Sequence, residues 1–272
     1  MGIIYKVGKA FVPSSLKRAL MGRMRSVVLQ DFESVVSTWR NDGAQPASLK
    51  EAAEQLLNEI KIDRTVKEAS AQFESLRGQK NLKLHLGAGA DIRHGWVNID
   101  LALRFPPEVD RNAPPGTMFI NYDLRRGLPL DDASCDLVYS SHFWEHLEYR
   151  QGLELMRECQ RVLRPGGVFR ISLPHFKNMF DAYLRADDEY FSLMNILEVM
   201  PDVEPGTEML VDHVNYGVYQ HGEHKCIYDE EKVLVLLRRL GYASVAASPY
   251  REGVDPADML RRKHSFYVEA TK

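Results

Sequence analysis

The sequence lacks the marks of several protein classes. It has only three cysteines, Cys135, Cys159 and Cys226, and no C-x-x-C pair. An odd, scattered set supports neither a disulfide framework nor a zinc knuckle. The expectation is reduced thiols in a cytosolic protein, with Cys159 in the core on a helix. No apolar run is long enough to span a bilayer. Lys6 and Lys9 interrupt the apolar start before a signal-peptide core can form. Lys6 also stands where a myristoylation signal needs Ser or Thr. There is no internal repeat and no low-complexity tract. Positive charge is not in excess either: the formal net charge is −3, which argues against nucleic acid as a partner.

What is present is a soluble globular composition, 44% hydrophobic and 27% charged, over 272 residues. That length accommodates one α/β domain and an extension. Residues 1–80 carry no strand signals and read as a helical extension. Pro13-Ser14-Ser15 looks like a capped helix start, followed by Leu16, Leu20, Met21, Met24, Val27 and Val28 at helical spacing. Lys6, Lys9, Lys17, Arg18, Arg23 and Arg25 all precede the first acid, Asp31. Such a basic amphipathic helix either packs with a solvated basic face or meets an anionic membrane surface. A second helical pattern runs from Ser48 to about Leu76, after a loop at 41–46.

From residue 81 the pattern alternates strand and helix to the end of the chain, which predicts a mostly parallel sheet in a domain spanning 81–272. Strands are expected at Leu82–Leu86, Trp96–Leu101, Thr117–Tyr122, Cys135–Ser140, Val168–Leu173, Tyr242–Ala247 and Ser265–Ala270. Helices are expected at Trp144–Leu163, around Ala182–Met200, and at Asp229–Leu240.

Five motifs lie along this domain. Leu82 to Leu86 runs into Gly87-Ala88-Gly89, a turn that lets backbone approach a ligand closely. A dinucleotide fingerprint would want a third glycine at position 92, which is Ile92, so an NAD enzyme is disfavoured. Gly95-Trp96-Val97-Asn98-Ile99-Asp100-Leu101 ends a strand on an acid that can accept from both ribose hydroxyls of a nucleoside. The gap from Gly87 to Asp100 leaves no room for a full crossover helix. Asn121-Tyr122-Asp123-Leu124 ends the third strand. The run Leu128 to Leu147 holds Ser140, Ser141, His142, Glu145 and His146, and Leu163-Arg164-Pro165-Gly166-Gly167 turns into the fifth strand.

Taken in order, these motifs resemble the class I S-adenosylmethionine-dependent methyltransferases, of the type 11 methyltransferase-domain group, over about residues 82–174. The resemblance implies a Rossmann-like sheet of seven strands, mostly parallel, with the last antiparallel. It also implies that Gly87, Ala88 and Gly89 wrap the methionine part of S-adenosylmethionine. Asp100, with Leu101 beside it, would hold the ribose, and Asp123 with Leu124 the adenine. Ser140 would lie near the transferred methyl group. Many relatives carry an acid where this chain has His85, so that contact with the cofactor's amino end differs here. The segment Gly-Trp-Val-Asn-Ile-Asp is similar to a subgroup associated with polysaccharide and glycolipid biosynthesis.

The leading expectation is therefore O-methylation of a sugar hydroxyl in a glycan or glycolipid. The rivals are methylation of a small metabolite (quinone, phenol or amine) and a non-catalytic cofactor-binding scaffold. A hydroxyl acceptor needs a general base, and histidine titrates near working pH. The candidates are His142, Glu145, His146, His175, His221 and His224, with His142 slightly ahead as nearest to Ser140. His221, His224 and Tyr228, just before the late helix, are candidates for the acceptor pocket. The His142, Glu145, His146 spacing resembles the Glu-x-x-Glu-His pattern of metal-assisted quinone methyltransferases. His142 in place of the first Glu leads to an expectation of no metal.

Overall fold

The computed structural model describes residues 47–102, 109 and 113–272. The basic helix expected near the N-terminus and the loop at 41–46 lie outside these residues. Within them the elements are helix α1 (Ala47–Ser75), strands β1 (Leu82–Leu86), β2 (Val97–Asp100), β3 (Met118–Asn121) and β4 (Cys135–Ser141), helix α2 (Tyr149–Val162) and strand β5 (Leu163–Pro174). Then come α3 (Phe176–Leu184), α4 (Asp188–Phe191), α5 (Ile196–Val199), α6 (Leu210–Tyr219), α7 (Glu230–Arg239), β6 (Ser244–Ser248), α8 (Met259–His264) and β7 (Ser265–Thr271). The seven strands form one sheet in the order β3-β2-β1-β4-β5-β7-β6. Strands β1 to β5 run parallel, and β7 is antiparallel to both β5 and β6. This is the Rossmann-like seven-stranded arrangement that the motif order implied. The order reverses beside β1, between β1 and β4, so a crevice opens there at the carboxyl ends of the strands.

The chain divides into two compact units, 1–68 and 69–272. The division falls inside α1, whose last turns belong to the sheet's unit. There Phe73 packs edge-on against Tyr122 with centroids 5.0 Å apart, and the Gln72 side chain donates to the Phe119 carbonyl at 3.0 Å. The central strands are buried on both faces, as a parallel sheet requires: Leu84, Leu86, Ile99, Val138, Phe169 and Ile171 have essentially no exposure. Helix α2 buries Leu155, Met156, Cys159 and Val162, one apolar stripe, so Cys159 is a core residue.

Three features matter for the site; the first agrees with the short gap in the sequence, and the other two differ from what the sequence pattern suggested. First, the connection from β1 to β2 holds no helix. Asn98, fully buried in β2, fastens this short crossover: its Oδ1 accepts from the Arg93 N–H at 2.8 Å, and its amide donates to the Arg93, Trp96 and Met118 carbonyls, each at 3.1 Å. Second, the helix expected over Trp144–Leu163 is broken. Trp144–His146 is a single 3-10 turn, Leu147 is extended, and α2 begins only after Glu148, which forms a capping box with Gln151. Third, the segment between β5 and α7 is more helical than its pattern suggested, with α3 starting directly behind β5 and α6 unforeseen. His175, Asp187 and Asn195 cap α3, α4 and α5 through side-chain acceptors.

Candidate active site

At the carboxyl end of β1 the chain enters the left-handed region at Gly87 (φ 69°) and again at Gly89 (φ 53°). The two glycines are needed for different reasons. A Cβ on Gly87 would stand 2.4 Å from Cγ of Phe143, whereas one on Gly89 would meet nothing. The Gly89 N–H donates to Oδ2 of Asp100 at 2.6 Å, and the Leu101 N–H donates to Oδ1 at 2.6 Å. The acid ending β2 thus clasps the glycine turn, and each oxygen keeps a lone pair for a further donor.

A cavity of about 560 Å³ lies over this turn, within the size range of ligand sites. Its floor includes Gly87, Ala88, Gly89, Asp100 and Leu101, with His85 beneath and Ser141 and Phe143 beside. His85 is buried against Tyr139 (centroids 5.3 Å), and its Nδ1 has no hydrogen-bond partner among the described residues. Burial, reinforced by the Arg93 charge, pushes its pKa down to about 4.

A second cavity, of about 510 Å³, adjoins the first, and His142, His146 and Arg261 line both. Its walls come from α3 to α6 and α8, with Phe176, Met179, Tyr190, Phe191 and Met194 giving it an apolar, aromatic lining. Six of the chain's nine histidines face it: His142, His146, His175, His213, His224 and His264. Burial is the main cause that lowers the pKa of five of these imidazoles, bringing His142 to about 3 and His224 to about 4. In all five the shift favours the neutral ring. Glu145 is fully buried, and burial raises its carboxyl to about 8. Neither of its oxygens has a hydrogen-bond partner among the described residues; Nδ1 of His142 is 3.7 Å from Oε1.

His142 sits at φ 51°, a left-handed position that a non-glycine residue holds only when its surroundings demand it. Its N–H donates to the Ser172 carbonyl at 3.0 Å and its Nε2 is 2.7 Å from Oγ of Ser265. These contacts turn the imidazole into the junction of the two cavities.

The segment after β6 closes the junction from above, bringing Pro256 to the first cavity, Asp258 to the second and Arg261 to both. It is anchored by Arg170, a fully buried cation in β5. Arg170 pairs with buried Asp255 and donates to Ser248 Oγ at 2.9 Å, to Glu269 at 3.1 Å and to the Pro249 carbonyl at 2.9 Å. The Arg251 N–H also donates to Asp255, at 2.6 Å.

The structure therefore brings together His142, Glu145, His146, His175 and His224 around one cavity, and Gly87, Ala88, Gly89, Asp100 and Leu101 around the other. Several expected residues stand elsewhere. Ser140 is buried in the sheet with its hydroxyl unpartnered among the described residues, because neighbours in a strand face opposite ways; Ser141 is the serine at the cavity. The Asp123 carboxylate is held by Arg125 through Nε at 2.8 Å and Nη2 at 2.9 Å, and Leu124 is buried beside it; neither lines either cavity. His221 bonds the Val199 carbonyl at 2.7 Å, outside the second cavity, and Tyr228 is buried, stacked on Tyr149. Sequence reasoning missed Phe143, Arg261, His213 and His264. The only signal for His213 was the concentration of histidine in a segment that otherwise looked irregular; His264, alone before the last strand, had none.

Residues 86–171, less than half of the chain, match the family model described as a methyltransferase domain. A protein of Mycolicibacterium smegmatis named a probable S-adenosylmethionine-dependent methyltransferase is 49% identical over 57 residues, which make up 20% of this chain and 21% of that protein. Among solved structures, a SAM-dependent methyltransferase from Archaeoglobus fulgidus overlaps 80% of this chain and 99% of its own at 15% identity and a TM-score of 0.41. The 1,6-didemethyltoxoflavin-N1-methyltransferase of Burkholderia thailandensis, solved with S-adenosylhomocysteine, overlaps 92% of this chain and 89% of its own at 17% identity and a TM-score of 0.42. Overlaps at that level carry no argument about activity.

Proposed function

We propose that this protein is an S-adenosylmethionine-dependent O-methyltransferase acting on a small hydroxyl-bearing acceptor. The observation that carries the reading is the pair of cavities meeting at His142, His146 and Arg261, one floored by the glycine turn and Asp100. The methyltransferase-domain match over 86–171 covers the glycine turn, β2 and Asp100, which build that floor. S-adenosylmethionine supplies an activated methyl group on a sulfonium sulfur. The chain's part is to align acceptor and methyl and to exclude water. Gly87 and Gly89, on either side of Ala88, offer side-chain-free backbone to the methionine part, and Asp100 offers carboxylate lone pairs to the ribose hydroxyls. Asp123 and Leu124 take the adenine edge only if Arg125 swings aside. His142, held neutral by burial, accepts the acceptor's proton, and Glu145 stands beside it with Oε1 3.7 Å from its Nδ1.

A sugar hydroxyl of a glycan or glycolipid is the leading acceptor class. The second reading is an aromatic metabolite such as a phenol, and the aromatic wall of Phe176, Tyr190 and Phe191 favours it. A glycolipid acceptor also gives the basic N-terminal stretch a use: deleting residues 1–30 should reduce attachment to anionic vesicles and leave cofactor affinity unchanged. The core reading is tested by calorimetry with S-adenosylmethionine and S-adenosylhomocysteine. Both should bind, and Asp100→Ala should weaken them by about 1–3 kcal/mol, the scale of polar groups left unpaired. Absence of binding to the unaltered chain sinks the reading.

A further inference from the structure

We propose that Glu145, His146 and His224 form a binding site for one divalent transition-metal ion, opening on the acceptor cavity. One ligand atom from each side chain lies within 4.8 Å of the other two. Ligands bound at about 2.0–2.2 Å stand roughly 3.3–3.6 Å apart around a tetrahedral metal, so side-chain rotations that draw the three atoms inward by up to about 1.5 Å complete the site. Two imidazoles and a carboxylate are a donor set suited to zinc, iron, cobalt or manganese, with coordination positions left free.

Three further observations point to a ligand. The Glu145 carboxyl is fully buried with neither oxygen hydrogen-bonded within the described residues, which leaves a costly polar group aimed at the cluster. A cation between Glu145 and the imidazoles would supply the missing partner. The His224 ring already has its Nδ1 on the Gly217 carbonyl at 2.7 Å; that contact makes Nδ1 the donor and leaves Nε2 with the free lone pair, the usual outer support of a metal-bound histidine. The backbone also pins Glu145 to the distant loop: the Lys225 N–H donates to the Glu145 main-chain carbonyl at 2.7 Å and the Cys226 N–H at 3.2 Å, which fixes His224 beside Glu145 in the fold. Sequence spacing alone pointed to His142 as the third member. Its Nε2 is instead engaged with Ser265, and His224, from the loop before α7, takes the place.

The role of the ion rests on the methyl-transfer reading. An acceptor hydroxyl bound at a free position would be acidified by the metal. Its proton passes to His142, and the oxygen's electron pair forms the new O–C bond. The S–C bond breaks with its electrons going to sulfur, which leaves a neutral thioether. The metal is neither oxidised nor reduced.

The test uses the full chain, stripped with chelator and titrated with Co²⁺ by calorimetry and visible absorption, with S-adenosylhomocysteine binding measured in parallel. One Co²⁺ per chain is expected, with a d–d spectrum of low coordination number. His224→Ala and Glu145→Gln should each weaken Co²⁺ by at least about 100-fold, since even outer-shell partners are worth 10–100-fold. His224 touches only the acceptor cavity, so S-adenosylhomocysteine affinity should stay within about threefold in His224→Ala, which also certifies its fold. No Co²⁺ binding to the unaltered chain, or equal binding by His224→Ala, overturns the site. If S-adenosylhomocysteine binds and Co²⁺ does not, the metal site falls and the methyl-transfer reading stands. If Co²⁺ binds with the expected losses and S-adenosylhomocysteine does not, the site stands and that reading falls.

Discussion

The two cavities are built in opposite ways. The one over the glycine turn takes most of its lining from β1, β2 and the residues directly following them, Gly87 to Asp91 and Asp100 to Leu101. Its geometry is set by backbone hydrogen bonds between neighbouring strands and by one acid on two adjacent N–H groups. The other draws on six separated stretches, from His142 to His264, and its chemistry lies wholly in side chains. A site made by strand ends is specified by short contiguous sequence. A site made by packing helices over a sheet edge is specified only once the whole chain has folded.

The largest expected effect separates the two sides. His142→Ala should lower turnover by about 10²–10⁴-fold, the scale of a lost general base, while calorimetry shows S-adenosylhomocysteine affinity little changed. In the unaltered protein burial holds the His142 pKa near 3, so the proposed base stays unprotonated and the acidic limb of the rate profile should fall far below the ordinary histidine range. A parallel loss of cofactor affinity would mean that the cavities are not separable at this residue.

Asp255→Ala should damage both sides together, because Arg170 and Asp255 fasten the segment that lines both. Leaving Arg170 buried and uncompensated should cost about 3–5 kcal/mol of stability in urea melts, whereas replacing both partners by apolar residues should cost much less. Equal losses in the single and double variants would place the value of Asp255 elsewhere.

His85 gives an acid-dependent test of the cofactor side. Its pKa is about 4 when folded and about 6.5 unfolded. Between those values the unfolded chain binds more protons, so stability is lost as pH falls through that window. Urea melts at pH 7 and pH 4.5 should show His85→Leu gaining on the unaltered chain at the lower pH, on the order of 1–3 kcal/mol. A constant difference would mean that His85 does not titrate there.

The smallest contrast lies within the glycine turn. Both Gly87→Ala and Gly89→Ala carry left-handed backbone strain of roughly 1–2 kcal/mol. Only Gly87→Ala also drives a methyl group into Phe143, so it should show the lower melting temperature and the weaker cofactor binding. The reverse order would mean that Phe143 is free to move.

All seven strands were legible from apolar runs bounded by turns, with edges off by a residue or two except at β5; for β1 to β5 the reason is that parallel strands buried on both faces write a continuous signal. The break between His146 and α2 was not, since His142, Glu145 and His146 have helical spacing and the capping box at Glu148 overrides it. Nor was α6 legible: it has no buried residue, so burial imposed no apolar stripe on its sequence.

By itself the sequence determined the sheet, the glycine turn and Asp100, because each depends on residues a few positions apart. The tertiary structure alone decided that His224 stands beside Glu145, that Ser141 rather than Ser140 reaches the cavity, and that Arg261 closes it. Those outcomes come from contacts between segments tens of residues apart, where packing and burial rather than local pattern set which side chains meet.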